Sequence, residues 1–400
     1  MKVATKIILA AIVVLGIIAI PVILLIDHGK HSGDKPVAEN LQPELEVMKG
    51  GNWPMFRGGQ GLSGRAEGTL PDSLELLWKF KTSGEVKSSP SIENGLVFVG
   101  SADANVYAVD LEKGHQVWAD KTGDGIEAGP CVVNNTVFVG SLDNFLYALD
   151  TKSGGLKWKY QTGGKIVGAA NWTPSPDGHD KWILVGSYDN KLHCVNSTDG
   201  KVMWTYETAS YVNGSPAVSE GKAIFGGCDA MIYIVSVADG KMLTQIDAGS
   251  YIGSSAAISN GRVYIGNYDS VFICGDIATG QVVWKYTGAS SSILSSAAVD
   301  ENVVVFGCRD KRVHCVSKDS GKVVWTFQTS GEVDSSPAIC GDKVVFGSGD
   351  GRLYMIRLSD GKQVWSYEIG QAVSSSPAVA GGIVVVGSDD GYVYAFGAKH

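Results

Sequence analysis

Tryptophans stand at positions 78, 118, 158, 204, 284, 325 and 365, and a chain with that period has few ways to fold. The intervals are 40, 40, 46, 80, 41 and 40 residues. The interval of 80 is two periods with one tryptophan missing: GKVMW at 200–204 becomes GKMLT at 240–244, so Thr244 holds the vacant place. A second signal runs in phase. SSPSI (88–92), AGPCV (128–132), GAANW (168–172), GSPAV (214–218), SSAAI (254–258), SSAAV (295–299), SSPAI (335–339) and SSPAV (375–379) are eight copies of one small-residue run. A fixed period near 40 residues marks a repeat architecture, in which each unit buries its apolar face on the next.

Each unit reads as four short strands. In the seventh, VDSSPAIC is followed by a Gly-Asp turn and by KVVFGS. The turn Gly349-Asp350-Gly351 leads to RLYMIR, and Ser359-Asp360-Gly361 leads to KQVWSYE. β-Branched and aromatic runs split by Gly/Asp/Asn turns are the hairpin signal. The many turns also account for glycine at 52 of 400 residues, nearly twice the usual share of about 7%. No helical period occurs after residue 52. The expected fold is therefore all-β, an eight-bladed β-propeller of four-stranded antiparallel blades over residues 53–400. The last unit stops after GYVYAFGAKH without a fourth strand, while LELLWKFK at 74–81 is a fourth strand without a first three. The N-terminal strand should complete blade eight and leave no open edge.

The first 52 residues are a separate object. Residues 7–26 read IILAAIVVLGIIAIPVILLI, twenty residues without a charge, long enough as a helix to span a bilayer core of about 30 Å. Lys2 and Lys6 precede the run, so the positive-inside rule puts residues 1–6 in the cytoplasm and the propeller outside. A cleaved signal peptide is the competing reading, but its apolar region should be shorter and end at a small-residue site. Residues 27–52 are polar, carry both charge signs and read as a linker.

Composition narrows the function. The formal net charge of −8 argues against nucleic acid, whose phosphates need a basic face. Seven scattered cysteines are too few for a disulfide scaffold. No Cys-Cys pair, C-x-x-C-H haem motif, G-x-S-x-G, H-E-x-x-H or P-loop occurs.

The repeat Asp-x-x-Ser/Thr/Asp-Gly-x-x-x-Trp, seen as DTKSGGLKW (150–158) and DIATGQVVW (276–284), resembles the tryptophan motif of PQQ-type eight-bladed propellers. NWPMFRGGQG (52–61) is similar to a leader found before such propellers in bacterial envelope proteins. The resemblance covers residues 52–400 and implies one of two roles. Quinoprotein dehydrogenases of this family stack the quinone between a tryptophan and an adjacent-cysteine disulfide ring, and hold calcium with Glu, Asn and Asp. The assembly factor BamB is a non-enzymatic member.

Eight aspartates (103, 143, 189, 229, 269, 310, 350 and 390) recur at the second-to-third strand turn. They read as hairpin caps rather than a cation site. His193 and His314 take the place held elsewhere by Tyr107, Tyr147, Tyr233, Tyr354 and Tyr394, and read as aromatic stand-ins. The seven tryptophans of the repeat (Trp78, Trp118, Trp158, Trp204, Trp284, Trp325 and Trp365) read as structural. The positions that break the repeat lead into the first strands, on the face shared with the aspartate turns: Glu85, Lys87, Glu127, Lys165, Tyr211, Asn213, Tyr251, Glu332, Asp334 and Gln371. Varied loops on a rigid scaffold are where binding resides, so these form the candidate partner-binding face.

The expectation is a membrane-anchored, extracytoplasmic (periplasmic) and monomeric propeller. It carries no catalytic residues, cofactor or metal, and acts as a scaffold for envelope or membrane proteins. The alternatives are a PQQ-dependent dehydrogenase and a glycan- or ligand-binding sensor, the latter kept open by Tyr211 and Tyr251.

Overall fold

The computed structural model describes residues 51–398. The expected segments 1–6 and 7–26, and nearly all of 27–52, lie outside the described residues. Among the described residues no helix is long and apolar enough to cross a membrane.

Eight four-stranded antiparallel units follow one another around a channel. Blade one, for example, comprises Ser91–Glu93, Leu96–Gly100, Asn105–Asp110 and Gln116–Lys121, running from the channel outward. The second and third strands of every blade are almost wholly buried, while the fourth alternates and shows one side to solvent. That is the pattern of sheets packed face to face with one edge exposed.

Closure follows the expectation. Glu75–Lys81 is the outer strand of blade eight and pairs antiparallel with Tyr392–Gly397, with Trp78 opposite Ala395. The inner strands close the ring as well: the Ser376 amide donates to Ser89 Oγ across 287 residues of sequence, and the Ser375 hydroxyl donates to the Ser88 carbonyl.

The small-residue runs build the inner wall. The amides of Ala169, Ser215, Ser255, Ser296 and Ser336 each donate to the serine Oγ of the next blade, at 2.8–3.0 Å. A serine here both allows close approach and bonds its neighbour. Gly168 shows the limit, since a Cβ on it would come within 2.7 Å of the Asn213 carbonyl.

The tryptophan motif joins blade to blade. Trp118 Nε1 donates to the Thr151 carbonyl in the next blade's outer turn at 2.9 Å. Gly154 in that turn, at φ +74°, lies so close to the indole that a Cβ would sit 2.7 Å from it. The motif thus pairs a tryptophan with the following blade's glycine, which adopts a left-handed conformation and lets the ring stack directly on backbone. Trp78, Trp158, Trp204, Trp284 and Trp325 make the same bond. Trp365 has no such turn ahead of it, because blade eight takes its outer strand from the N-terminus; it packs edge-on against Phe396 instead. At the one exceptional junction Thr244 faces Gly280.

The leader is the part that repeat analysis does not anticipate. Residues 53–66 run around the end of the channel remote from the lead-in loops. Trp53 exchanges both backbone bonds with Ile92, at 2.8 Å each. The amides of Val132, Val218, Ile258, Val299 and Ile339 then donate to the carbonyls of Pro54, Gln60, Gly61, Ser63 and Gly64. These acceptors serve the second residue of the first strand in blades two, four, five, six and seven. In blade three, Gln60 donates to the Trp172 carbonyl and accepts from Asn171 Nδ2. Arg65–Ala66 ends the path as a short parallel strand on blade seven.

Candidate functional site

The chain enters each first strand at one end of the channel and leaves at the other, so the two ends are chemically different. At the floor lies the leader, with Phe56 facing the channel. Arg57 beside it is 1% exposed and donates to the carbonyls of Ser336, Ala297 and Pro337. Burial pulls its guanidinium down to about 9, still above neutral, so a cation sits beneath the floor. Above it is a cavity of about 160 Å³ lined by Ser89, Gly129, Ala169, Ser215, Ser255, Ser296 and Ser336, opening between Glu127, Val167, Asn213, Gly253 and Leu294.

The mouth is built from two loops per blade held together by one repeated bond. The residue before each turn aspartate donates its amide to a lead-in carbonyl: Ala102 to Glu85, Leu142 to Gly125, Tyr188 to Lys165 and Cys228 to Tyr211. Tyr268 to Tyr251, Arg309 to Ser292, Gly349 to Glu332 and Asp389 to Ala372 complete the eight. The structure therefore brings the lead-in residues Glu85, Lys165, Tyr211, Tyr251 and Glu332 to one face. Gln371 stands one residue ahead of this register and is exposed. The turn aspartates lie just outside, where most of them brace neighbouring chain. Asp103 accepts from the amides of Asn105 and Ser83 and from the Tyr107 hydroxyl. Burial alone would raise its carboxyl, and these bonds outweigh it and hold it below the usual value. His193 and His314 do the tyrosine's work, each placing Nε2 3.0–3.2 Å from its aspartate.

Around this mouth the side chains divide into two arcs. One is charged. Lys87 pairs with Glu85 at 2.9 Å, and that hydrogen bond holds its ammonium above the usual value, with Asp389 and Glu127 adding to the attraction. Burial pushes the Asp389 carboxyl up, which Lys87 opposes and Glu85 reinforces. Asp334 takes a two-pronged bond from Arg309 at 2.8–3.2 Å, with Glu332 at 3.6 Å from the same guanidinium. The other arc, on blades three to five, is aromatic. Tyr188 and Tyr211 stack at 4.8 Å and 8°, Tyr251 is 61% exposed and Tyr268 42%. Asn213 donates to Cys228 Sγ at 3.0 Å, while its buried Oδ1 has no hydrogen-bond partner among the described residues.

Tyr188, Tyr268, Arg309 and Asp389 were not among the sequence candidates. Their signal was available: they occupy the position before the turn aspartate, which reads Ala, Leu, Tyr, Cys, Tyr, Arg, Gly and Asp around the ring. That position breaks the repeat as strongly as the lead-in loops do.

The channel does not fit a stacked quinone. Its walls are hydroxyls, glycines and backbone, and the repeat tryptophans lie on outer strands. The seven cysteines are free, six of them buried, and Cys131, Cys194 and Cys315 have thiols pushed up by desolvation. Arg57, the nearest buried cation, already spends its terminal nitrogens on carbonyls.

The family described as outer membrane protein assembly factor BamB matches the chain over residues 69–128, 103–327 and 309–400. No curated protein matches it. Among solved structures, BamB from Moraxella catarrhalis is similar at 16% identity and a TM-score of 0.68, covering 82% of this chain and all of its own. The quinohemoprotein alcohol dehydrogenase of Comamonas testosteroni is similar at 13% identity and a TM-score of 0.74, covering 88% and 81%. A europium-containing methanol dehydrogenase is similar at 13% identity and a TM-score of 0.72, covering 87% and 98%. At these identities the likeness is one of fold.

Proposed function

We propose, for a chain that belongs to the family of the outer membrane protein assembly factor BamB, that it is a non-catalytic scaffold binding protein partners in the cell envelope. The partner-binding surface is the channel mouth. The observation that carries this reading is the division of that rim into a charged arc and an exposed tyrosine arc around a shallow, closed-ended channel. A polar cavity of about 160 Å³ falls short of the roughly 300 Å³ or more of a small-molecule site. Exposed tyrosine and arginine, by contrast, are the side chains that dominate protein interfaces. In this reading residues 7–26 anchor the chain in the membrane, and the propeller stands on the extracytoplasmic side.

Two other readings compete. A dehydrogenase would need a quinone platform, which the channel lining lacks. A sensor for sugars would use the tyrosine arc alone, and the Tyr188–Tyr211 stack is the feature that favours it. Photo-crosslinking groups placed singly at Lys165, Tyr251 and Gln371, and at Lys201 and Lys241 on the opposite face, separate these. A scaffold gives discrete protein adducts from the mouth positions only. Adducts of equal yield from both faces sink the surface assignment. Turnover of alcohols or sugars after loading with PQQ and calcium replaces the scaffold with an enzyme.

A further inference from the structure

We propose that Cys308, Asp310 and His314 in blade six form a binding site for a borderline transition-metal ion such as zinc. Sγ, a carboxylate oxygen and an imidazole nitrogen of these three residues lie within 4.8 Å of one another. His314 Nε2 is 3.1 and 3.2 Å from the two Asp310 oxygens. Tetrahedral zinc with its usual bond lengths separates its ligand atoms by roughly 3.3–3.7 Å, so a shift of about an ångström converts the cluster into three ligands. Water or a nearby carbonyl takes the fourth place; the carbonyl of Ser291 is 3.2 Å from Sγ.

The surroundings supply what such a site needs. His314 is fully buried and its ring lies parallel to Phe306, 5.4 Å away. Its Nδ1 is 2.9 Å from the Tyr286 hydroxyl; when a metal displaces the proton that Nε2 shares with Asp310, the Nδ1–H tautomer has that oxygen as its acceptor and Nε2 coordinates. Asp310 receives the Ser290 amide at 3.1 Å, which fixes one carboxylate oxygen. On binding, the Cys308 thiol gives its proton to solvent and coordinates as thiolate; no electron is transferred.

The ring provides its own control. The position of Cys308 is Ser101, Ser141, Ser187, Gly227, Asn267, Ser348 and Ser388 in the other blades. Blade three repeats the arrangement with one atom changed: Ser187, Asp189 and His193, with Tyr160 on the second ring nitrogen at 2.9 Å. A serine hydroxyl is a poor ligand for zinc and a thiolate a good one. Blade six alone among the eight brings sulfur, oxygen and nitrogen together.

The test is titration of tag-free, metal-stripped protein with cobalt(II) and, in competition, zinc(II). One equivalent of cobalt should bind with a sulfur-to-cobalt charge-transfer band in the near ultraviolet, which zinc displaces. Cys308→Ser, the residue most sister blades carry, should abolish that band while leaving the melting temperature of the metal-free protein nearly unchanged. Ser187→Cys should create a second site and raise the stoichiometry from one to two. Absence of the band in the unaltered protein, or its persistence in Cys308→Ser, overturns the proposal.

Discussion

The two ends of the channel are made by opposite strategies. The floor is backbone bonded to backbone: six leader carbonyls serve six blades, and one buried arginine ties three more carbonyls. The mouth repeats a single backbone bond eight times and leaves its side chains free to differ. At the floor, uniformity is required because six blades present the same amide. At the mouth, the bond that fixes the loops makes no demand on the side chains, so glutamate, lysine and tyrosine can stand at equivalent places. Stability resides in the first end, and the proposed function assigns recognition to the second.

Deleting residues 53–66 while keeping the closing strand should break this comparison most visibly. Seven backbone bonds and the Arg57 contacts vanish. At about 1 kcal/mol per bond, the loss is comparable to the whole stability of many domains. Thermal unfolding should start many degrees lower; a deletion variant that melts like the full chain would sink the structural role of the leader. Arg57→Met comes next. It keeps the aliphatic volume but strands the carbonyls of Ser336, Ala297 and Pro337. A cost of about 2–4 kcal/mol is expected from buried acceptors left unpaired, measured by denaturant titration.

The mouth should behave otherwise. Tyr251→Ala removes a ring that is 61% exposed and should change stability by less than about 0.5 kcal/mol, while lowering any partner crosslink from neighbouring positions. The smallest effect belongs to Asp389→Asn. Burial raises this carboxyl in the folded state. Its ionisation therefore costs stability as pH rises through the folded value, and the cost is absent below the unfolded value of about 3.9. The variant should melt slightly higher than the parent at neutral pH and equal it in acid. A variant less stable at neutral pH would contradict the assignment.

Most of the fold was legible because the tryptophan is one half of a contact that recurs at six of the eight junctions. Its partner, the left-handed glycine of the next turn, recurs with it, and the orphan strand at 74–81 told where the ring closes. The leader was legible only as a resemblance. An extended segment that bonds through its carbonyls has no side-chain period to read, and Arg57 looks in sequence like any surface arginine. Half of the mouth was legible through Glu85, Lys87, Tyr211 and Tyr251. The other half, including Tyr188 and Arg309, sits in turns whose recurring aspartates draw attention to the constant position instead of the variable one beside it.

The closing strand has a consequence in time. Glu75–Lys81 is synthesised first among the blade strands, and its partner Tyr392–Gly397 last. Until Tyr392–Gly397 emerges, Glu75–Lys81 has no strand to pair with and blade eight lacks its outer strand. The leader is in the same position, made before any of the inner strands it will bond. Six of the blades, as they appear, each meet a waiting carbonyl, so the leader can gather them in the order of their synthesis. A chain cut short by a single blade would hold both the gathered strands and an unpartnered outer strand, an exposed edge of the kind that aggregates. The ring is closed only when Tyr392–Gly397 arrives.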